Sequence, residues 1–399
     1  MMKKEFFLLV CLLFLGSLFL TACSQNQKQI KPKETDVVVH KKPKREEKIS
    51  FYNAQYIFVN GEKGQMEQRN HKGKLVSKLG KGKVCHVSEE WFYFLENRDQ
   101  VITVWRVPLQ IGLVADKPID IKKREKVLSV RGEITGRICV EEPYIIFALD
   151  KKRDELYQYD MEKKRVISCK LQIPYAELGD KLNILEIALE GGCSYVSVEE
   201  QGIFKQDLVK GEVEAKCIYE GIYSCHSLYA WQDQLFFDHG NYKEPPLETF
   251  CVKSYSETKG ILWEITAEDI VMVMNKHFGK STNNVIKNMK YESVFGSFWE
   301  DNGKLYVLAD YITYKQGKRN KKISPILSYD PQKGGSSLTY EKELTEFLQK
   351  KERTVFDIIR GKALVKQKEN AYEFDLITKR KRILKKSDLN YWYVFGSLK

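Results

Sequence analysis

One short pattern recurs along this chain and limits its fold more than any other feature. It is a strand-like run ending in aspartate or a relative, followed by a Lys/Gly turn. Its centres are "MEQRNHKG" from Met66, "WRVPLQIG" from Trp105, "YQYDMEKK" from Tyr157, "FKQDLVKG" from Phe204, "VKSYSETKG" from Val252, "LSYDPQKG" from Leu327 and "YEFDLITK" from Tyr372. Successive spacings are 39, 52, 47, 48, 75 and 45 residues, so one spacing carries an insertion of about 27 and the others keep a common period. Before most centres lies an apolar run such as "WFYFLEN", "YIIFALD", "CSYVSVE", "QLFFDHG" or "KLYVLAD". Before that run lies another, joined to it by a tight acidic or Gly turn, as in "CHVSEEW", "CVEEPY", "LEGGCS", "FWEDNGK" and "IIRGKA".

Each unit therefore reads as four short antiparallel strands, a to d, and the fold class as all-β. The 22 Tyr and 20 Phe agree with strands. Four strands in each period of this length mark a β-propeller blade. A lone meander cannot cover both its faces, whereas radial stacking covers each blade with the next. The expectation is a seven-bladed β-propeller, with six or eight blades as alternatives. Asp160, Asp207, Asp330 and Asp375 fall after the third strand, where a carboxylate accepts backbone N–H groups of the turn. No D-x-D-x-[DN]-G run accompanies them, so no metal role is assigned. The first unit, from "YNAQYIFVNG", has strands b, c and d but no a. "NYWYVFGS" at the other end resembles the inner-strand segment "YESVFGSFWE". Tyr391 to Gly396 is therefore expected to supply strand a of the first blade and close the ring.

The chain begins "MMKKEFFLLVCLLFLGSLFLTAC". Lys3 and Lys4 precede an apolar run from Phe6 to Leu20, shorter than the roughly twenty residues of a membrane span. This is the layout of a secretory signal. Leu20-Thr21-Ala22-Cys23 resembles a bacterial lipobox, which implies that residues 1–22 are removed and that Cys23 carries fatty acyl chains such as palmitate. Two acyl chains anchor stably, where one binds marginally. The expected location is the extracytoplasmic face of the cell membrane. Residues 23–49 are polar, with eight Lys and Arg against four Asp and Glu, and read as a disordered basic tether. Residues 50–399 read as one propeller, long enough for a buried core.

Net charge is +12, of which the leader and tether carry roughly five. The rest is spread over Lys-rich turns without a dense aromatic-interleaved stripe, which argues against nucleic acid. Beyond Cys11 and Cys23, seven cysteines remain without C-x-x-C spacing, so they read as small core residues rather than disulfides or zinc ligands.

Two helical insertions are expected, near 266–290 and 339–352. In the first, Thr266 and Asp269 form a capping-box-like start and Ile270, Val273, Met274, His277 and Phe278 keep helical spacing. In the second, Leu344, Phe347 and Leu348 share a face. Long b-to-c loops are expected at "HGNYKEPPLE" and "YITYKQGKRNKK", and the link "IGLVADKPIDIKKREKVLS" is expected partly on the same face. Tyr242, Tyr311, Tyr314, Lys315, Lys318 and Arg319 are the candidate ligand-binding residues there, with aromatic and cationic groups suited to an anionic cell-wall polymer or an envelope protein.

Enzyme signals are poor. The six histidines show no H-x-H or H-E-x-x-H spacing, and no G-x-S-x-G or phosphate loop exists. Asp238 and His239 are adjacent on a strand, so they point to opposite faces. No cofactor is implied. With lipobox and repeats together, the chain resembles the lipid-anchored β-propeller proteins of Gram-positive bacteria. Its repeats are similar to propellers of the low-density-lipoprotein-receptor type, although Y-W-T-D and W-D motifs are absent. The resemblance implies a non-catalytic binding or scaffold module. The alternative is a glycan lyase or hydrolase with its site on the loop-rich face.

Overall fold

All seven repeat centres fall on the third strand of a four-strand meander. The computed structural model describes residues 57–60, 64–69, 75–88, 90–109, 117–150, 155–171, 183–222, 225–240, 251–266, 268–270, 272, 276, 291–315, 318–331, 338–349, 353–359, 361–367, 370–384 and 392–393. Among them the strands form seven sheets, each ordered a, b, c, d. Sheet 1 is Trp392–Tyr393, Ile57–Asn60, Gln65–Arg69 and Leu75–Lys81. Sheet 2 is Lys83–Val87, Trp91–Arg98, Val101–Pro108 and Glu125–Arg131. Sheet 3 is Ile134–Glu141, Tyr144–Leu149, Glu155–Asp160 and Arg165–Ile167. Sheet 4 is Ile184–Glu190, Cys193–Val198, Gly202–Asp207 and Glu214–Glu220. Sheet 5 is Leu228–Trp231, Gln234–His239, Cys251–Ser256 and Gly260–Ile265. Sheet 6 is Tyr291–Asp301, Lys304–Lys315, Ile326–Tyr329 and Leu338–Tyr340. Sheet 7 is Thr354–Ile359, Lys362–Gln367, Asn370–Asp375 and Lys381–Leu384.

Neighbours in sequence are neighbours in space. Shared apolar clusters join sheets 1 and 2, sheets 2 to 4, sheets 4 and 5, sheets 5 and 6, and sheets 6 and 7. The inner strands of sheets 2, 3, 4 and 5 lie against one another in turn. Because sheets 2 to 6 are each covered on both faces, their strand b loses the apolar/polar alternation of a half-exposed strand. Every residue of Tyr144–Leu149 is buried, as are Phe92, Tyr93 and Phe94 on sheet 2 and Phe236 and Phe237 on sheet 5. Burying one such aromatic contributes roughly 1.5–3 kcal/mol. The C-terminal strand pairs antiparallel with the first sheet, Phe58 opposite Tyr393 and Val59 opposite Trp392.

The turn chemistry follows the repeat. Asp160 Oδ1 accepts from the Lys163 amide at 2.9 Å, Asp207 Oδ1 from the Lys210 amide at 2.9 Å, and Asp375 Oδ1 from Thr378 at 2.7 Å and Ile377 at 3.0 Å. Four residues after the capping position the backbone turns left-handed, at Lys164, Gly211, Gly260 and Lys379. That geometry explains the recurring Lys/Gly, since glycine adopts it without penalty. The a-to-b turns at Gly191-Gly192, Gln232-Asp233 and Asn302-Gly303 have positive φ at both central residues, the two-residue hairpin form.

Several expectations need correction. Sheets 4 and 6 each hold a fifth strand. Lys170–Leu171 adds in parallel to the outer edge of sheet 4. Lys318–Ile323 pairs with the far half of Lys304–Lys315, so the described residues of "YITYKQGKRNKK" are paired strand rather than a long loop. The link at 109–124 joins strands c and d, which places it at the end opposite the b-to-c and d-to-a connections. It is gripped there by Gln68, whose Nε2 donates to the Lys117 carbonyl at 2.8 Å and whose Oε1 accepts from the Ile119 amide at 2.9 Å. In the second insertion the described helix spans Lys342–Gln349 and Leu338–Tyr340 is instead the outer strand of sheet 6; Leu344, Phe347 and Leu348 are buried. In the first, Thr266 and Asp269 bond reciprocally and Ile270 is buried, while Val273, Met274, His277 and Phe278 lie outside the described residues.

Candidate functional site

Each sheet has two ends. The turn end carries the a-to-b and c-to-d connections; the link end carries b-to-c and d-to-a. At the turn end, carboxylates at the close of strand a reach the next sheet. Glu141 accepts from the Gly191 amide at 2.8 Å, Glu190 from the Gln232 amide at 2.5 Å, and Asp301 from the Gly361 amide at 2.6 Å. These acids are more than turn formers: they bind one sheet to the following one. A carboxylate accepting a backbone N–H is a strong hydrogen bond, so this end is fastened.

The link end is built differently. The two inner strands of sheet 6 run on past the sheet, and its fifth strand joins them there. Beyond Ala309, whose amide bonds the Pro325 carbonyl at 3.1 Å, residues 311–314 pair with Tyr291–Val294 on one side and residues 311–315 with Lys318–Ile323 on the other. At about 3.4 Å per residue this arm projects roughly 15–20 Å. It carries five of the six candidate residues: in the strand register Tyr314 is paired with Arg319, Lys315 with Lys318 and Tyr311 with Ile323. Tyr242 lies outside the described residues.

Sequence reasoning missed a second feature at the link end. A cavity of about 680 Å³ opens where sheets 1, 2 and 3 meet, lined by Lys81, Lys83 and Arg98, by Glu96 and Glu133, and by Leu95, Ile102 and Ile134. Gly82 makes it possible. A Cβ there would meet the Leu95 carbonyl oxygen and the Met66 Cε, both at 2.8 Å, so only glycine lets the chain pass so close. The one sequence signal was "KGK" between two sheets, which reads as an ordinary turn.

The inner strands also shape the axis. Those of sheets 2, 3, 4 and 7 carry a register shift at matching places, between Val84 and His86, Thr135 and Ile138, Ile184 and Glu186, and Val355 and Asp357. Bulges re-aim the side chains beside them. Burial pushes the Tyr229 hydroxyl up to about 12, and Glu300, Glu190 and Asp357 add to the rise while Arg137 opposes it, so charges of four other sheets act on this hydroxyl. Burial lowers His86 to about 4 and raises Asp357 to about 7. At neutral pH that histidine is uncharged.

Asp238 and His239 do face apart. Asp238 is buried, and its carboxylate accepts from the amides of His226 at 2.6 Å, Ser227 at 3.0 Å and Gly296 at 3.2 Å, tying sheet 5 to sheet 6. Burial raises it to about 7 against those three donors. The His239 ring bonds the Gly221 carbonyl at 2.9 Å. All seven cysteines are free thiols, and burial raises Cys85 and Cys251 to about 12, which suppresses thiolate reactivity.

No family model and no curated protein matches the chain. Among solved structures it is similar to β-propeller proteins. AztD from Citrobacter koseri, in its apo form, is 10% identical with a TM-score of 0.46, over 84% of this chain and 82% of that one. BamB from Moraxella catarrhalis is 9% identical with a TM-score of 0.36, over 69% and 79%. The WD40 domain of Toxoplasma gondii coronin is 11% identical with a TM-score of 0.38, over 70% and 69%.

Proposed function

We propose that the chain is a seven-bladed propeller, lipid-anchored through Cys23 on the extracytoplasmic face of the cell membrane, with residues 23–49 as its tether. On this reading it is a non-catalytic module that binds an envelope protein or cell-wall glycan through its link end. The leader and lipobox support the location. Seven sheets in sequence order and the pairing of Trp392–Tyr393 with Ile57–Asn60 support the blade count and the closed ring.

The observation that carries the binding reading is the arm of sheet 6. Strands that continue past the sheet they belong to add nothing to its core, and they hold Tyr311, Tyr314, Lys315, Lys318 and Arg319 on paired backbone rather than on a loose loop. Sites on regular elements hold their geometry better than sites on loops. The test is recovery of partners from solubilised envelope by the full chain and by a chain lacking residues 311–322, with Lys315→Glu/Lys318→Glu/Arg319→Glu as a charge-reversed companion. The expected result is loss of the same specific partner with both variants; unchanged recovery contradicts the reading. Cys23→Ser is expected to release the protein from the membrane fraction.

A further inference from the structure

We infer that the cavity at the meeting of sheets 1, 2 and 3 binds a small organic anion with an apolar body, by a mechanism separate from the arm of sheet 6. Its volume, about 680 Å³, lies in the range of ligand pockets, roughly 300–1,000 Å³. Leu95, Ile102 and Ile134 supply an aliphatic floor, and Ile102 is only 3% exposed. An apolar surface inside a concave site favours a ligand part that also leaves water.

The rim supplies the charge. Lys81 and Lys83 flank Gly82, the bend that joins the outer strand of sheet 1 to the inner strand of sheet 2. Both line the cavity, and neither ammonium has a carboxylate partner among the described residues. Arg98 is the third cation, 3.6 Å from Glu96. The Glu96 carboxylate is largely spent elsewhere: it accepts from Arg124 Nη1 at 2.8 Å and from Trp105 Nε1 at 3.1 Å. The Arg124 guanidinium in turn stacks on the Trp105 ring at 4.3 Å. Glu133 is exposed at the mouth and is the one opposing charge without such a hold among the lining residues. Lysines brought together on one side of a concave wall attract an anion more strongly than scattered surface lysines do. The chemistry recognised is thus an alkyl or aryl body bearing one carboxylate or phosphate monoester.

The test is calorimetric titration of the purified full chain with hexyl phosphate and with hexanoate, against hexanol and hexylammonium as neutral and cationic controls. Saturable binding of at least one anion, at least tenfold tighter than hexanol and weakened by added salt, is the expected result. Preference between the two anions then names the head group. Lys81→Ala/Lys83→Ala is expected to lower the anion affinity at least tenfold without moving the thermal midpoint, and Glu133→Gln to raise it. No saturable binding of either anion, equal binding of hexanol or hexylammonium, or an unaltered affinity in the double lysine variant would overturn the assignment.

Discussion

The two ends of the sheets are made by different chemistry. At the turn end, Asp160, Asp207 and Asp375 cap c-to-d turns, and Glu141, Glu190 and Asp301 clip sheet 3 to 4, sheet 4 to 5 and sheet 6 to 7 through backbone amides. At the link end, sheets 1 to 3 part to leave a cavity, and sheet 6 grows an arm. One sheet-to-sheet carboxylate also sits there, Asp238, but it is buried and raised to about 7. The lesson is a division of labour: carboxylate-to-amide bonds fasten sheet to sheet at one end, while the other carries the cavity and the arm.

The largest effect tests the ring itself. Deleting residues 392–399 removes the inner strand of sheet 1 and exposes the paired edge of Ile57–Asn60; the thermal midpoint is expected to fall by more than with any single substitution. Next come the clips. Asp301 is only 7% exposed, and Asp301→Ala leaves the Gly361 amide without its acceptor, an expected loss of about 1–3 kcal/mol in urea unfolding. Asp160→Ala is expected to cost about 1 kcal/mol, since it removes one capping bond and its Lys163 pair at 3.3 Å. Lys81→Ala/Lys83→Ala at the link end is expected to change stability by under about 0.5 kcal/mol. A reversed ranking would break the contrast.

Asp207 at the turn end and Asp238 at the link end should also differ in sign with pH. Hydrogen bonding to Lys210 holds the Asp207 carboxyl below its usual range, so its contribution is present above the unfolded value and lost as pH falls. Burial raises Asp238, so its contribution is fully present below the unfolded value and lost as pH rises through about 7. Asp238→Asn is therefore expected to narrow its stability gap to the parent as pH climbs from 4 to 8, whereas Asp207→Asn widens its gap over the lower part of that range. Parallel profiles from the two variants would remove the distinction.

The contrast also marks what a reading of residues can reach. The strand-c centres, the capping carboxylates of Asp160, Asp207 and Asp375, the buried face of Leu344, Phe347 and Leu348, and the C-terminal strand were legible because each is a local pattern. The clips were not, because nothing in "CVEEPY" says that Glu141 accepts from an amide fifty residues later. The bulge at Ile184–Glu186 lacks a glycine to announce it. The arm reads as a loop in sequence because its lysines hide the alternation of a strand. The cavity needs residues from three sheets at once, so "KGK" alone could not show it.

Whether the sheets close into a ring is decided by a crystal structure of the full chain. The expected result is seven successive sheets with Trp392–Tyr393 hydrogen-bonded beside Ile57–Asn60. Six or eight sheets, or a C-terminal segment lying away from the first sheet, would contradict it.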